Sequence, residues 1–335
     1  MSKKKNKTLA LIEKYTVDGE LTVSKTDIAR ELVTMSIYDT IGDARFAVRY
    51  YTGSTGKRSV KAAQSTGRKI EKSTVKQGLK KALFNSWAQK KKPVHVSPGK
   101  WLVMQDIHIP YQINETISAA IEYAKEINIT GIVLNGDIMD CYDLSRWDKE
   151  SKRPKIMEEL QLVRRFLDFL VETFPGKKIY YKFGNHEERY HHYMLKNAKE
   201  LSEVPEISLE ALLNLKELGI EKVGREIIKM GKFNLLHGHE FQQSVNQQVN
   251  PARGLYTKIK TSGGIGHHHQ ISSHAETTLD GSQHIAHSFG CMCDMEPEYM
   301  PYAYLKWRQG FGIIEVFKDD SFIVHNKEVI GNKVI

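Results

Sequence analysis

Hydrophobic spacing changes period along this chain in a regular order. Trp101-Leu102-Val103-Met104 and Gly131-Ile132-Val133-Leu134 are short apolar runs, the pattern of strands buried on both faces. Ile179, Tyr181 and Phe183 alternate and stop at Gly184, which predicts a third strand. Between them, apolar positions recur at helical spacing over 117–127 and 156–174. Strand, helix, strand, helix, strand predicts a parallel sheet, with ligands gathered beyond the carboxyl ends of its strands. Upstream, three short helices are expected at 8–15, 24–33 and 39–51. Ser24 caps the second, with Asp27 in the capping-box position. Downstream, two helical runs (189–201 and 208–218) follow a non-helical turn at Asn185, His186 and Glu187. Short strands at 226–229 and 233–236, a helix near 243–259, and antiparallel strands within 285–293 and 310–324 complete the pattern, with a turn at Asp319-Asp320.

Composition adds a division of charge. The 40% hydrophobic and 27% charged fractions are those of a chain with an ordinary core. No apolar run reaches the roughly 18 residues of a membrane span. The basic N-terminus lacks the apolar stretch of a signal peptide, so a cytoplasmic protein is expected. Three cysteines make a disulfide framework implausible, and Cys291 and Cys293 are expected as small core residues rather than ligands. The net charge of +9 is uneven: residues 1–100 hold 22 Lys+Arg against 8 Asp+Glu, and the remainder 27 against 32. A basic third joined to a near-neutral body predicts nucleic acid as a partner. The organisation expected is a small helical, helix-turn-helix-like domain over 1–52, a basic and partly helical linker over 53–98, and an enzyme-like body over 99–335 with a helical insertion at 187–222. Arg45 and Arg49 on the third helix, with Lys57 and Arg58 in the linker, are the candidate nucleic-acid contacts.

Candidate chemistry collects at strand ends. In order these are Asp106, His108, Asp137, Asn185, His186, His237, His267 and His269. Imidazoles, carboxylates and one amide oxygen suit divalent manganese, iron, zinc or nickel, with manganese first. Without His186 the set is too large for one ion and fits two sharing a carboxylate, the arrangement that clamps a phosphoryl centre. Asp106 and His108, two apart on an emerging strand, are expected to point the same way, as are His267 and His269. His268 is expected to face away, and His239 competes with His237 for a ligand role. His186 can protonate a leaving oxygen, with Glu187 orienting its ring. Arg189 and Arg253 are candidate phosphate contacts.

The ordered motifs D-x-H, G-D, G-N-H-E, H-G-H and G-H-x-H resemble the calcineurin-like metallophosphoesterase family over about residues 100–335. The resemblance implies an α/β fold: two mixed β-sheets packed face to face and flanked by helices. It implies two divalent ions, one on Asp106, His108, Asp137 and His269, the other on Asp137, Asn185, His237 and His267. Ser288-Phe289-Gly290-Cys291 resembles the turn that closes the domain. The activity implied is phosphoester hydrolysis by in-line attack of a hydroxide bridging the ions, with His186 assisting the leaving group.

Departures from the family pattern bear on the substrate. Branches that cleave phosphoproteins or dinucleotide polyphosphates carry arginines where this chain has Cys141 and Phe183, which argues against a protein phosphatase. The interval from Asp137 to Asn185, basic over 149–155, leaves room for a polymer. With the basic arm, this resembles the phage-type and DNA-repair-nuclease-like branches, and predicts a phosphodiesterase acting on nucleic acid. One alternative is a small-molecule phosphoesterase with a localising arm. Another is a nucleic-acid-binding protein on an inert scaffold, against which the intact set of costly polar residues argues.

Overall fold

The computed structural model describes residues 3–17, 20–54, 92–145, 154–241, 249–297, 304–331 and 333–335. The chain divides into two compact units, Met1–Lys90 and Lys91–Ile335. Lys57, Arg58, the helix expected near 75–89, the basic stretch 149–153 and residues 243–248 lie outside the described residues.

In the first unit, helix α1 (Lys3–Lys14) leads through a two-stranded ribbon, β1 (Thr16–Val17) and β2 (Glu20–Leu21), to α2 (Lys25–Thr34) and α3 (Ile41–Tyr51). Both later helices begin on a hydroxyl cap: Ser24 accepts from the Asp27 N–H, and Thr40 from the Asp43 N–H, each at 3.1 Å. Ile28, Ala29, Leu32, Ala44 and Val48 close a small core with Leu11 and Ile12. The outer side of α3 carries Arg45, Arg49 and Phe46, the last 64% exposed.

The second unit is an α/β sandwich of two mixed sheets. Its strands are β3 (Val94–His95), β4 (Gly99–Met104), β5 (Gly131–Asn135), β6 (Lys178–Lys182), β7 (Glu221–Val223), β8 (Ile228–Met230), β9 (Phe233–Leu235), β10 (Gly263–Ile265), β11 (Ser272–Thr277), β12 (Gln283–Ser288), β13 (Gly310–Val316), β14 (Phe322–Ile330) and β15 (Lys333–Val334). The seven-stranded sheet runs β15-β14-β13-β4-β5-β6-β7 and the six-stranded sheet β11-β12-β10-β9-β8-β3. The run β4-β5-β6-β7 is parallel, as the strand–helix pattern requires, and β13 closes antiparallel on β4.

Alternation decides the two faces. Leu102, Met104, Ile132, Leu134, Ile179 and Tyr181 pack beneath helices α4 (Asn114–Glu126) and α5 (Ile156–Thr173). Their neighbours Trp101, Val103, Val133 and Tyr180 meet Met230, Phe233, Leu235 and Phe289 between the sheets. Helix α6 (Asn185–Asn197) follows β6, α7 (Leu209–Leu212) is one turn, and α8 (Pro251–Ile259) covers the outer face of the six-stranded sheet.

Four features depart from expectation. The helix expected over 208–218 is only the single turn α7, with turns over 213–219. Val94–His95 pairs with β8, so this part of the expected linker belongs to the body. β7 and β11 carried no apolar signal because both are edge strands, β11 mostly exposed. Helix α6 begins at Asn185 itself. Gly184 is its N-cap, and the Glu187 carboxylate reaches back to the Gly184 N–H at 2.8 Å. Asn185, His186 and Glu187 therefore form the first turn of a helix rather than a loop before one.

Candidate metal centre

The strands stop one or two residues short of the polar residues they deliver. β4 ends at Met104 and β5 at Asn135. Asp106, His108, Asp137, His267 and His269 then all adopt left-handed backbone, with φ of 51°, 51°, 52°, 63° and 56°. Strand alternation is therefore not what aims Asp106 with His108, or His267 with His269. Each sits in an unfavourable local conformation that surrounding hydrogen bonds hold in place. The Asp106 N–H donates to Gly136 O (3.0 Å) and the His108 N–H to Asp137 O (2.9 Å). The His267 N–H donates to the Asp106 carboxylate at 2.9 Å.

Asp137 is the hub. Its Oδ2 lies 3.2 Å from His237 Nε2 and 3.9 Å from both His108 Nε2 and His186 Nε2. Asp106 Oδ1 lies 3.3 Å from His269 Nε2, which is itself 3.3 Å from His108 Nε2. Donor atoms of Asp137, His237 and His267 fall within 4.8 Å of one another, as do those of His108, Asp137 and His186. The structure thus gathers Asp106, His108, Asp137, His186, His237, His267 and His269 in one buried place. Asn185 stands at the head of α6 beside His186, and its Oδ1 is buried.

These residues fit divalent ions. His237 Nδ1 lies 2.8 Å from Asn135 O and His108 Nδ1 lies 2.8 Å from Asp140 Oδ1, so in both rings Nε2 is the nitrogen left facing Asp137, able to ligate once it carries no proton. Among the described residues, Asn185 Oδ1 and His237 Nε2 are buried with no hydrogen-bond partner. Orphaned acceptors of this kind are costly unless a cation completes them.

Electrostatics leads to the same place. Burial opposes ionisation of Asp137, yet the surrounding histidines, His237 first, hold its carboxyl well below the usual range. Burial opposes charge on His237 too, but Asp137 raises it to about 10. Burial and the neighbouring His237 lower His267 to about 3. Burial opposes charge on His269 as well, but Cys291 and Asp106 raise it to about 10, so protons are held beside both carboxylates, where metal ions would compete with them.

Glu187 does not orient the His186 ring. Its carboxylate accepts the backbone N–H groups of Asp137, Ile138, Met139 and Gly184 and the Tyr181 hydroxyl, at 2.8–3.0 Å. The group beside the His186 ring is Asp140, whose backbone oxygen and Oδ1 lie 2.8 and 3.1 Å from Nδ1. Its signal was available as the second aspartate of G-D-x-x-D. Arg189 donates to His186 Nε2 at 2.9 Å and to Asp140 O at 3.0 Å. Arg253 instead lines a surface depression with Tyr256, Lys260, His274 and Glu276, none of them in the cluster. His239 turns to Glu188, its Nε2 3.4 Å from Oε1. Cys293, expected as plain core, is buried with its Sγ 3.8 Å from His269 Nδ1, and Trp307 packs edge-on to the same ring at 4.2 Å.

No family model matches the chain. It is 28% identical over 226 residues to the Gene 54 protein of Mycobacterium phage L5, covering 64% of this chain and 88% of that one. It is 29% identical over 227 residues to the Gene 54 protein of Mycobacterium phage D29, with the same coverage. Among solved structures, Vacuolar Protein Sorting 29 from Cryptosporidium parvum superposes at a TM-score of 0.38 and 12% identity, over 71% of this chain and 96% of that one. The phosphoesterase YfcE from E. coli superposes at 0.32 and 15% identity, over 68% and 98%.

Proposed function

We propose that this chain is a metal-dependent phosphodiesterase with a dinuclear centre, acting on nucleic acid. The observation that carries the chemistry is Asp137, one buried carboxylate with imidazole nitrogens on both sides and two orphaned acceptors nearby. Asp106, His108, Asp137 and His269 would hold one ion; Asp137, Asn185, His237 and His267 the other. Two divalent ions there supply an acidified water and neutralise phosphoryl charge. Manganese is the first ion to test, then iron, zinc and nickel, because the donors are nitrogen and oxygen.

His186 handles the proton at Nε2. Nδ1 is engaged by Asp140, and burial is outweighed by Asp137 and Asp140, which raise the ring above its ordinary value. Arg189 covers Nε2 in this state. Its swing onto a phosphate oxygen frees Nε2 to take up a proton from solvent, and His186 then gives that proton to the leaving oxygen. The excess of basic residues in the first hundred positions supports a polyanionic substrate.

The test incubates the protein with Mn²⁺ and labelled single- and double-stranded DNA or RNA. Cleavage is expected, with His186→Ala lowering turnover by about 100-fold or more. Asn185→Ala is expected to lower turnover and also weaken one ion. No cleavage, alongside rapid hydrolysis of a simple monoester, overturns the nucleic-acid substrate; a fully active His186→Ala overturns the role of His186.

A further inference from the structure

A lysine occupies the carboxyl end of β6, where the sheet is fully buried. Lys182 is 0% exposed. Its Nζ donates to Gly224 O and Glu226 O at 3.0 Å each, and lies 3.1 Å from Glu240 Oε1. Glu240 in turn accepts the N–H of Gly238 at 2.7 Å and of His237 at 3.3 Å. His239 stands between Glu240 and Glu188, and Arg225 makes a two-pronged pair with Glu188. A buried ion pair seldom raises stability over an apolar pair of the same volume, because both charges lose their water. The pair therefore calls for a role other than stability.

Its placement gives one. Lys182 lies three residues before Asn185, and Glu240 three after His237. β6 belongs to the seven-stranded sheet, whereas β9, which leads into His237, belongs to the six-stranded sheet. Asn185, which follows β6, and His237, which follows β9, thus hang from opposite sheets, and each carries a buried acceptor with no hydrogen-bond partner among the described residues. We propose that the Lys182–Glu240 ion pair is a clamp between the sheets that sets the spacing of Asn185 and His237, and thereby the affinity of the ion they hold with Asp137 and His267. Both are positioning residues and touch no substrate. The proposal rests on the dinuclear reading above.

The test titrates metal-free full-length protein with Mn²⁺, following uptake by electron paramagnetic resonance and calorimetry. Wild type is expected to take two ions. Glu240→Gln and Lys182→Met are expected to keep the ion on Asp106, His108 and His269, and to bind the other about tenfold or more weakly, the usual penalty for disturbing groups behind a ligand. Combining Lys182→Met with Glu240→Gln leaves no unpaired charge. Thermal stability should recover while the second ion stays weak, a split that a purely structural pair would not give. Wild-type affinity for both ions in Glu240→Gln overturns the clamp, as does recovery of the second ion in the combined variant. Should Lys182→Met fail to fold, Glu240→Gln, which keeps the size of the side chain and one acceptor oxygen, decides by the same criterion. Fewer than two ions in wild type removes the dinuclear reading and the clamp with it. Two ions in wild type with unaffected variants removes the clamp alone.

Discussion

Glu187 shares one helical turn with Asn185 and His186, yet its carboxylate is occupied by four backbone N–H groups and a tyrosine hydroxyl. That network ties the Asp137 turn to the head of α6, across some fifty residues of sequence. Sequence alone lists which residue types crowd the strand ends; it does not show which carboxylate meets a ring and which meets backbone. Asp140 therefore stands beside the His186 ring, where Glu187 was expected. Glu159 is a third buried carboxylate nearby. Its Oε1 accepts the Tyr142 N–H at 3.2 Å, and its Oε2 is buried without a hydrogen-bond partner among the described residues. Burial, then Asp140, raises it to about 8. A carboxyl whose folded pKa exceeds its unfolded value favours folding fully below the unfolded value, and that contribution is lost as pH rises toward the folded one. Wild type should therefore lose stability from about pH 4.5 to 8, by on the order of a few kcal/mol. Glu159→Gln should flatten that slope and be the more stable form at pH 8.5. Urea unfolding across pH measures this, and parallel curves for the two proteins would contradict it.

At the scale of elements, β4, β5, β6, α4 and α5 were legible because each buries a continuous face. The edge strands β7 and β11 were not, since an edge can stay polar. The start of α6 was missed because its cap is a glycine whose contribution comes from Glu187 and Asp137. Gly184 has φ −93°, which any residue can adopt, so space alone decides its identity. A Cβ there would lie 2.2 Å from Asp137 Oδ1 and 2.6 Å from Asp137 N. Gly184→Ala should cost roughly 1–3 kcal/mol of stability through this clash. It should also reduce metal uptake, because the displaced atom belongs to the shared carboxylate. Unchanged melting and full metal uptake in this variant would contradict the packing described.

At the scale of the whole molecule, the chain pairs a basic first third with a body in which buried polar groups converge. Among the described residues no helix is long and apolar enough to cross a membrane. If the basic third meets phosphates, nucleic-acid affinity should fall by roughly 1,000-fold between 50 and 200 mM salt for about six contacts. A salt-insensitive affinity would remove that part of the account. The central claim is that Asp137 is shared by two ions. Anomalous X-ray scattering from crystals grown with Mn²⁺ tests it most directly. Two peaks about 3.5–4 Å apart, on either side of Asp137 Oδ2, are predicted; a single peak, or two peaks with Asp137 bound to neither, would contradict it.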